Sequence, residues 1–386
     1  MKNNITILLA GIFLVSCKGA SQPAAVTGTL PADKNATPET VALYKNLFKA
    51  REKGYFFGHQ DALAYGVNWR YEEGRSDIKD VTGDYPAVYG WDLGRIENKA
   101  DKDLDGVPFV NQKRYVEQVY KWGGVNTFSW HMNNPLTGKD AWNNEPGTVA
   151  SVLPGGAKHE LFKSWLDNAA AYFLTLKGKD GKLVPILFRP YHEFTGNWFW
   201  WCKNTTTPEQ FKALWKFTVE YFEGKGVHNL LYVYNTSDLG VQTKADFMEY
   251  YPGDAYVDMV SFDIYQGGEE VAKREKFAAD THRLAGIIDE VAREHNKLSA
   301  IAETGFEQIP YATWWTETLT NAIGSRKISY VLLWRNHGWN EQSDPPRMHY
   351  YAPYKGHKYE ADFVKYYKQP ETLFQKEATK LTLYKK

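Results

Sequence analysis

The chain has 386 residues, and its 46 lysines and arginines balance 46 aspartates and glutamates, a net charge of zero that excludes a polybasic nucleic-acid binder and an acidic tail protein. Hydrophobic residues at 43% and charged residues at 24% fit a folded globular protein and exclude wholesale disorder. Aromatics reach 16%, with 14 Trp, 26 Tyr and 20 Phe, and flat apolar faces with a polar edge suit sugar rings as well as a packed core.

The chain opens on Met1 and Lys2 and runs into an apolar stretch at 5–15, too short to span a bilayer and the right length for the core of a signal peptide. The stretch closes on Leu14, Val15, Ser16 and Cys17, which resembles a bacterial lipoprotein signal. Residues 1–16 are then the signal peptide and Cys17 the acylated new N-terminus; an ordinary secretory signal with an incidental cysteine is the alternative. With Cys17 lipidated, Cys202 has no partner for an intramolecular disulfide and reads as a small buried hydrophobe rather than a nucleophile. Residues 17–38, rich in Ala, Pro, Thr and Ser, read as a flexible tether, and 39–386 as a single catalytic domain. The expected location is the bacterial cell envelope. No acidic run follows Cys17, which favours an anchor facing the periplasm over one on the cell surface.

Along the body, short apolar or β-branched runs at 55–58, 87–91, 125–130, 184–189, 230–234, 259–263, 299–302 and 330–334 read as strands. Amphipathic segments at 112–122, 160–176, 208–222, 270–295 and 311–323 read as helices between them. This alternation implies parallel strands joined by crossover helices, and eight such units fit an α/β fold, the (β/α)8 TIM barrel. A doubly wound open sheet is the alternative, but no glycine-rich phosphate fingerprint follows the first strand.

A barrel places its chemistry at the C-terminal ends of its strands, and polar residues collect at those positions. His59, Gln60 and Asp61 follow the first run, Asp92 the second, and His131, Asn133 and Asn134 the third. Arg189, His192 and Glu193 end the fourth; Asn235, Asp263 and Tyr265, Glu303, and Arg335 with Asn336 end the later ones. Glu193 and Glu303 would face each other across the mouth, the paired carboxylates that glycoside hydrolysis requires. Glu193 lies between His192 and the hydrophobic run 194–201, which disfavours its charged form and suits a general acid. Glu303 is expected near Tyr265 and Arg189, whose hydrogen bonds would keep a carboxylate ready for nucleophilic attack.

The segment from Arg189 to Trp201, with Pro190, Tyr191, His192 and Glu193, resembles the acid/base motif of glycoside hydrolase family 26, the β-mannanase family. The run Ala300, Ile301, Ala302, Glu303, Thr304, Gly305 resembles that family's nucleophile motif, with further matches at Gly58 to Gln60, Trp130 to Met132, Phe262 to Tyr265 and Trp334 to Asn336. The resemblance implies a retaining double displacement with Glu193 as acid then base and Glu303 as nucleophile. It further implies that Tyr265 orients Glu303, that His192 bonds near the sugar 2-hydroxyl, and that His131 and Trp334 complete the −1 site. Trp198 and Phe199 would form the leaving-group side, Arg335 would contact the −2 sugar, and Arg189 and His59 would support the site. Asp92, Asp263 and Asn336 are expected to brace the rim, and at least half of Trp200, Trp201, Trp314 and Trp315 to be packing residues.

The implied substrate is β-1,4-mannan, including gluco- and galactomannan, or manno-oligosaccharides; mixed-linkage β-glucan and β-1,3-xylan are the alternatives within the family. The loops at 98–109 and 135–156 could wall off distal subsites and turn an endo-acting enzyme into one that releases mannobiose from chain ends. Metal catalysis through His59, His131 and His192 is disfavoured, because strand one carries no His-x-His pair. No cofactor, metal or nucleic-acid partner is expected, membrane contact is through the lipid alone, and the protein reads as a monomer. A lipid-anchored glycan-binding protein is the non-enzymatic alternative, yet both carboxylates and Tyr265 are in place.

Overall fold

The computed structural model describes residues 30–385, so the signal, Cys17 and residues 17–29 of the tether lie outside the described residues. All eight expected strands form: β1 (Tyr55–Gln60), β2 (Val88–Asp92), β3 (Val125–Ser129), β4 (Ile186–Arg189), β5 (Leu230–Ser237), β6 (Met259–Tyr265), β7 (Leu298–Gly305) and β8 (Tyr330–Leu333). Each pairs in parallel with the next, and β8 returns to β1 with Phe56 opposite Tyr330 and His59 opposite Leu333. The sheet is therefore a closed (β/α)8 barrel without free edges.

Several boundaries move for local reasons. The fourth strand starts at Ile186 rather than 184, because the Val184 N–H is spent on the Leu176 carbonyl and the backbone bond to the Asn229 carbonyl is made by the Ile186 N–H. β7 continues through Glu303 to Gly305, so the second carboxylate belongs to the strand and not to the loop after it.

Helices Phe109–Trp122, His159–Phe173, Pro208–Gly224 and Val271–Glu294 occupy the expected crossovers and bury one face each. Pro208–Gly224 starts on a reciprocal capping box between Thr207 and Gln210, with Pro208 in the first turn where its missing N–H costs nothing. The segment expected as a helix at 311–323 is instead a π-helical turn, Trp314–Leu319, running into Thr320–Ile323. The N–H groups of Trp315 and Thr316, in its first turn, donate to the Asp362 carboxylate at 3.0 and 3.4 Å, and the Thr313 carbonyl accepts from both Glu317 and Thr318. Asp77–Thr82 and Lys244–Met248, in the first and fifth crossovers, are too short to leave a helical period in the sequence.

Side chains alternate along each strand. Val88, Leu187, Leu231, Val233, Met259, Ala300, Ala302 and Leu332 fill the barrel, while Phe128, Phe188, Tyr232, Phe262 and Ile301 pack outward under the helices. The helix Pro38–Ala50 sends Leu43, Tyr44, Leu47 and Phe48 into the inner cluster. It thereby closes the N-terminal end of the barrel and leaves the C-terminal end open for a site. Among the described residues no helix is long and apolar enough to cross a membrane.

Candidate active site

Glu193 sits in a tight turn directly after β4. Both Tyr191 and Glu193 adopt left-handed backbone, with φ of 53° and 54°, a conformation costing a non-glycine residue about 1–3 kcal/mol. Surrounding hydrogen bonds hold it: the Glu193 N–H donates to Asn235 Oδ1 at 2.8 Å, and Trp201 Nε1 donates to the His192 carbonyl at 2.8 Å. Trp198 Nε1 donates to Glu193 Oε2 at 2.8 Å. Burial, and then the negative charges of Asp263 and Glu303, push the Glu193 carboxyl well above its ordinary value despite that bond. A raised value keeps the proton on the carboxyl to higher pH than an ordinary glutamate, as a general acid requires.

Glu303 reaches the barrel mouth through an irregularity in β7. Leu298, Ala300 and Ala302 point inward and Ile301 outward, so strict alternation would turn residue 303 out under the helices. Between Ile301 and Glu303 the register slips by one residue against β6, where Phe262 pairs with Ile301 and Asp263 with Glu303. The same slip separates Val331 and Leu333 of β8. This β-bulge re-aims the side chain into the cleft. There Tyr265 donates its hydroxyl to Glu303 Oε2 at 2.8 Å and Arg189 Nη2 donates to Oε1.

Arg189, fully buried, also donates from Nη1 to Asp263 Oδ2 at 3.0 Å. Burial opposes its charge, but Asp263 and Glu303 outweigh burial and hold the guanidinium firmly protonated. Asn235 completes the set by donating to Asp263 Oδ1 at 2.8 Å. One carboxylate oxygen from each of Glu193, Asp263 and Glu303 lies within 4.8 Å of the other two. A trio of carboxylates at that spacing resembles a cation site, yet the Arg189 guanidinium already pairs with two of them.

A second buried chain runs from Asp92 through His131 to His192. The Asp92 carboxylate accepts from Ser129 Oγ at 2.6 Å, the Gly94 N–H at 2.6 Å and the His131 N–H at 3.2 Å, and lies 2.7 Å from His131 Nδ1. Burial works against a charge on His131, but Asp92 outweighs it and raises the imidazole above its usual value. His131 Nε2 lies 3.2 Å from His192 Nε2. Burial, with His131 and Arg189 adding their positive charges, drives His192 well below its usual value. Asp92 thus pulls the first imidazole up while burial and its cationic neighbours push the second down, so the two rings are driven apart in proton affinity.

These groups line a cavity of about 320 Å³ that brings together His131, His192, Glu193, Trp198, Phe199, Tyr265, Glu303 and Trp334. Arg189 lies beneath them, bonded to Glu303. Arg335 lines the adjoining cavity of about 760 Å³ and pairs with Asp105 on the loop after β2. His59 sits one step from Phe57 on the outward face of β1, buried beside Asn336 and the Trp334 backbone. Burial holds its imidazole down at about 4, so it braces the rim as a neutral ring. Cys17 lies outside the described residues. Cys202 is buried, its thiol pushed up to about 12 by burial, which suits packing and not nucleophilic attack. Trp200, Trp201, Trp314 and Trp315 are all core residues.

Sequence reasoning missed Trp142 and Tyr351, which also line the catalytic cavity. Trp142 stacks on His131 with ring centroids 5.0 Å apart and planes at 13°. It was findable as the one aromatic in the 135–156 loop. Tyr351 follows a hairpin beyond β8 and carries no positional signal. Asp105 was missed as the partner of Arg335, from which it stands 230 residues away in sequence.

A family model described as glycosyl hydrolase family 26 matches residues 32–344. A mannan endo-1,4-beta-mannosidase of Bifidobacterium adolescentis is 31% identical over 350 residues, covering 86% of this chain and 34% of that protein. The chain thus spans about a third of the length of that relative. A mannan endo-1,4-beta-mannosidase of Bacillus subtilis is 29% identical over 369 residues, 89% of this chain and 91% of that protein. A solved β-mannanase from Bacteroides ovatus, of the same family, superposes with a TM-score of 0.85 at 42% identity, covering 90% of this chain and 98% of that one.

Proposed function

The chain belongs to glycosyl hydrolase family 26, and from that membership and the two carboxylates at its mouth we propose that it is a retaining endo-β-1,4-mannanase acting on mannan, glucomannan or galactomannan. The observation that carries this reading is the pairing of Glu193 and Glu303, with oxygens within 4.8 Å and in unequal surroundings. That spacing leaves no room for a water between sugar and base, as an inverting enzyme needs, and suits direct attack by one carboxylate.

Glu303, oriented by Tyr265 and Arg189, attacks the anomeric carbon while protonated Glu193 delivers its proton to the departing oxygen. The glycosyl-enzyme ester removes the negative charge of Glu303, which is one cause of the raised Glu193 pKa. Glu193, now ionised, then takes a proton from the water that hydrolyses the ester. His131, His192 and Trp334 hold the reacting sugar, and Trp198 and Phe199 flank the leaving group. The adjoining cavity of about 760 Å³ shares His131 and Trp142 with the catalytic one. It offers room for more of the chain and supports internal cleavage over release of mannobiose from chain ends.

The test is a product time course on undecorated β-1,4-mannan with barley β-glucan alongside. A spread of manno-oligosaccharides at the earliest times is expected. Mannobiose alone from the first time point would reassign the enzyme as exo-acting, and activity only on glucan would overturn the substrate. We also propose that the enzyme is a monomer tethered to the envelope by lipid on Cys17, facing the periplasm. Cys17→Ser is then expected to move the protein from the membrane fraction to the soluble one.

A further inference from the structure

Of the 14 tryptophans, Trp142 and Trp339 alone are exposed, at 48% and 56%. Both line the same cavity of about 760 Å³. That cavity shares His131 and Trp142 with the catalytic one, so a single groove runs from Glu193 and Glu303 past Trp142 to Trp339.

Trp339 lies on the strand Gly338–Asn340, paired antiparallel with Arg347–His349 in a hairpin after β8. Gly338 faces His349, Trp339 faces Met348 and Asn340 faces Arg347. Arg347 and His349 therefore share one face, and both bind Glu307 there, at 3.0 and 2.9 Å. Trp339 occupies the other face by the period of the strand. Gln308 adds a hydrogen bond from Nε2 to the Met348 carbonyl at 2.8 Å and a backbone bond to Tyr350 at 2.9 Å. The indole is thus carried on a hairpin pinned to the loop after β7.

A large flat ring held open in a groove, on a braced support and in a chain that buries its other indoles wholly or in part, is a surface shaped for a ligand. Arg335, His337, Glu341 and Gln342 line the cavity around it and supply hydrogen-bonding partners for hydroxyl groups. Resting on the mannanase reading, we propose that Trp339 is the stacking platform of a distal sugar subsite. It grips a hexopyranose unit of the substrate chain several residues from the bond that is cut, at the end of the groove reached past Trp142. Contact this far from the reacting carbon strengthens ground and transition states alike, so it lowers KM and not the chemical barrier.

The experiment compares kcat/KM on mannohexaose with kcat/KM on a short aryl β-mannobioside, in the wild-type chain, Trp339→Ala and Trp339→Phe. In Trp339→Ala the long-to-short ratio is expected to fall about tenfold, the scale of one lost aromatic contact, through KM rather than kcat. Trp339→Phe, which keeps a flat ring, is expected to recover most of the ratio. An unchanged ratio, or an equal loss on both substrates, overturns the subsite while leaving the mannanase reading standing. A wild-type chain that cleaves neither compound overturns that reading and the subsite with it.

Discussion

Glu193 and Glu303 are the same chemical group in different company, and the division of labour follows from that company. Glu193 is half-buried, sees two neighbouring negative charges and has one indole N–H as partner; Glu303 accepts from a phenol and a guanidinium. Glu193→Gln preserves shape and removes the proton, so kcat on mannan is expected to fall by about 10²–10⁴-fold in steady-state assays. First-turnover release of an acidic phenol, which leaves without a proton, is expected to survive the change. Because Glu193 must be protonated to start the reaction, activity is lost as pH rises through its pKa. That pKa lies above the ordinary carboxylate range near 4.3, and the alkaline limb of kcat/KM should lie above that range too. The Trp198 N–H favours the charged form and holds the pKa down. Trp198→Phe removes that restraint and is expected to move the alkaline limb to higher pH, read from a pH profile of kcat/KM.

At the scale of elements, a glycine in β1 lets three neighbouring strands pack closely. A Cβ on Gly58 of β1 would stand 3.1 Å from the Cβ atoms of both Leu332 on β8 and Val88 on β2, the two strands it joins. Gly58→Val forces branched methyls into that seam and is expected to destabilise the fold by about 1–3 kcal/mol in chemical denaturation. The hairpin Tyr65–Gly66/Trp69–Arg70 is fastened in a similarly specific way. The Asp77 carboxylate accepts from the Val67 N–H at 2.9 Å, Trp69 Nε1 at 2.7 Å and Asn336 Nδ2 at 2.8 Å. One buried side chain thus ties the first crossover to the end of β8, beside Trp334 and Arg335. The bulge in β7 acts on the same scale, since a single extra residue decides whether Glu303 meets substrate or helix.

Over the whole molecule, stability and chemistry occupy opposite ends of the barrel. Leu47, from the helix Pro38–Ala50, is 1% exposed within the inner cluster at the N-terminal end. Leu47→Ala is expected to cost about 2–5 kcal/mol in denaturant unfolding, from lost burial plus the cavity left behind. Below its unfolding range the variant should keep the wild-type kcat, because the cavity lies under the barrel floor and the carboxylates above it. The mouth in turn spends stability on function, with two left-handed non-glycine residues, a buried Arg189 shared between two carboxylates and a buried histidine pair pushed in opposite directions by its surroundings.

The order of eight strands, the preference for a barrel over an open sheet and the two glutamates at the fourth and seventh strand ends are legible in the residues alone. Those features rest on short-range patterns: β-branched runs of strand length, helical periodicity between them, and motifs contiguous with the strand they terminate. Tertiary structure alone decided what depends on register and on chain returning from far away. Nothing local marks the bulge at Ala302 and Glu303, because it is defined by the pairing with β6 and β8. Arg335 meets Asp105 only once β8 closes on β1 and the loop after β2 folds over the mouth. Trp142, Trp339 and Tyr351 lie on connecting segments with no periodicity to read, and only packing reveals that they line the groove of Glu193 and Glu303 or its extension. His59 was legible as a strand-end residue, but the alternation of β1 turned its ring away from the cleft.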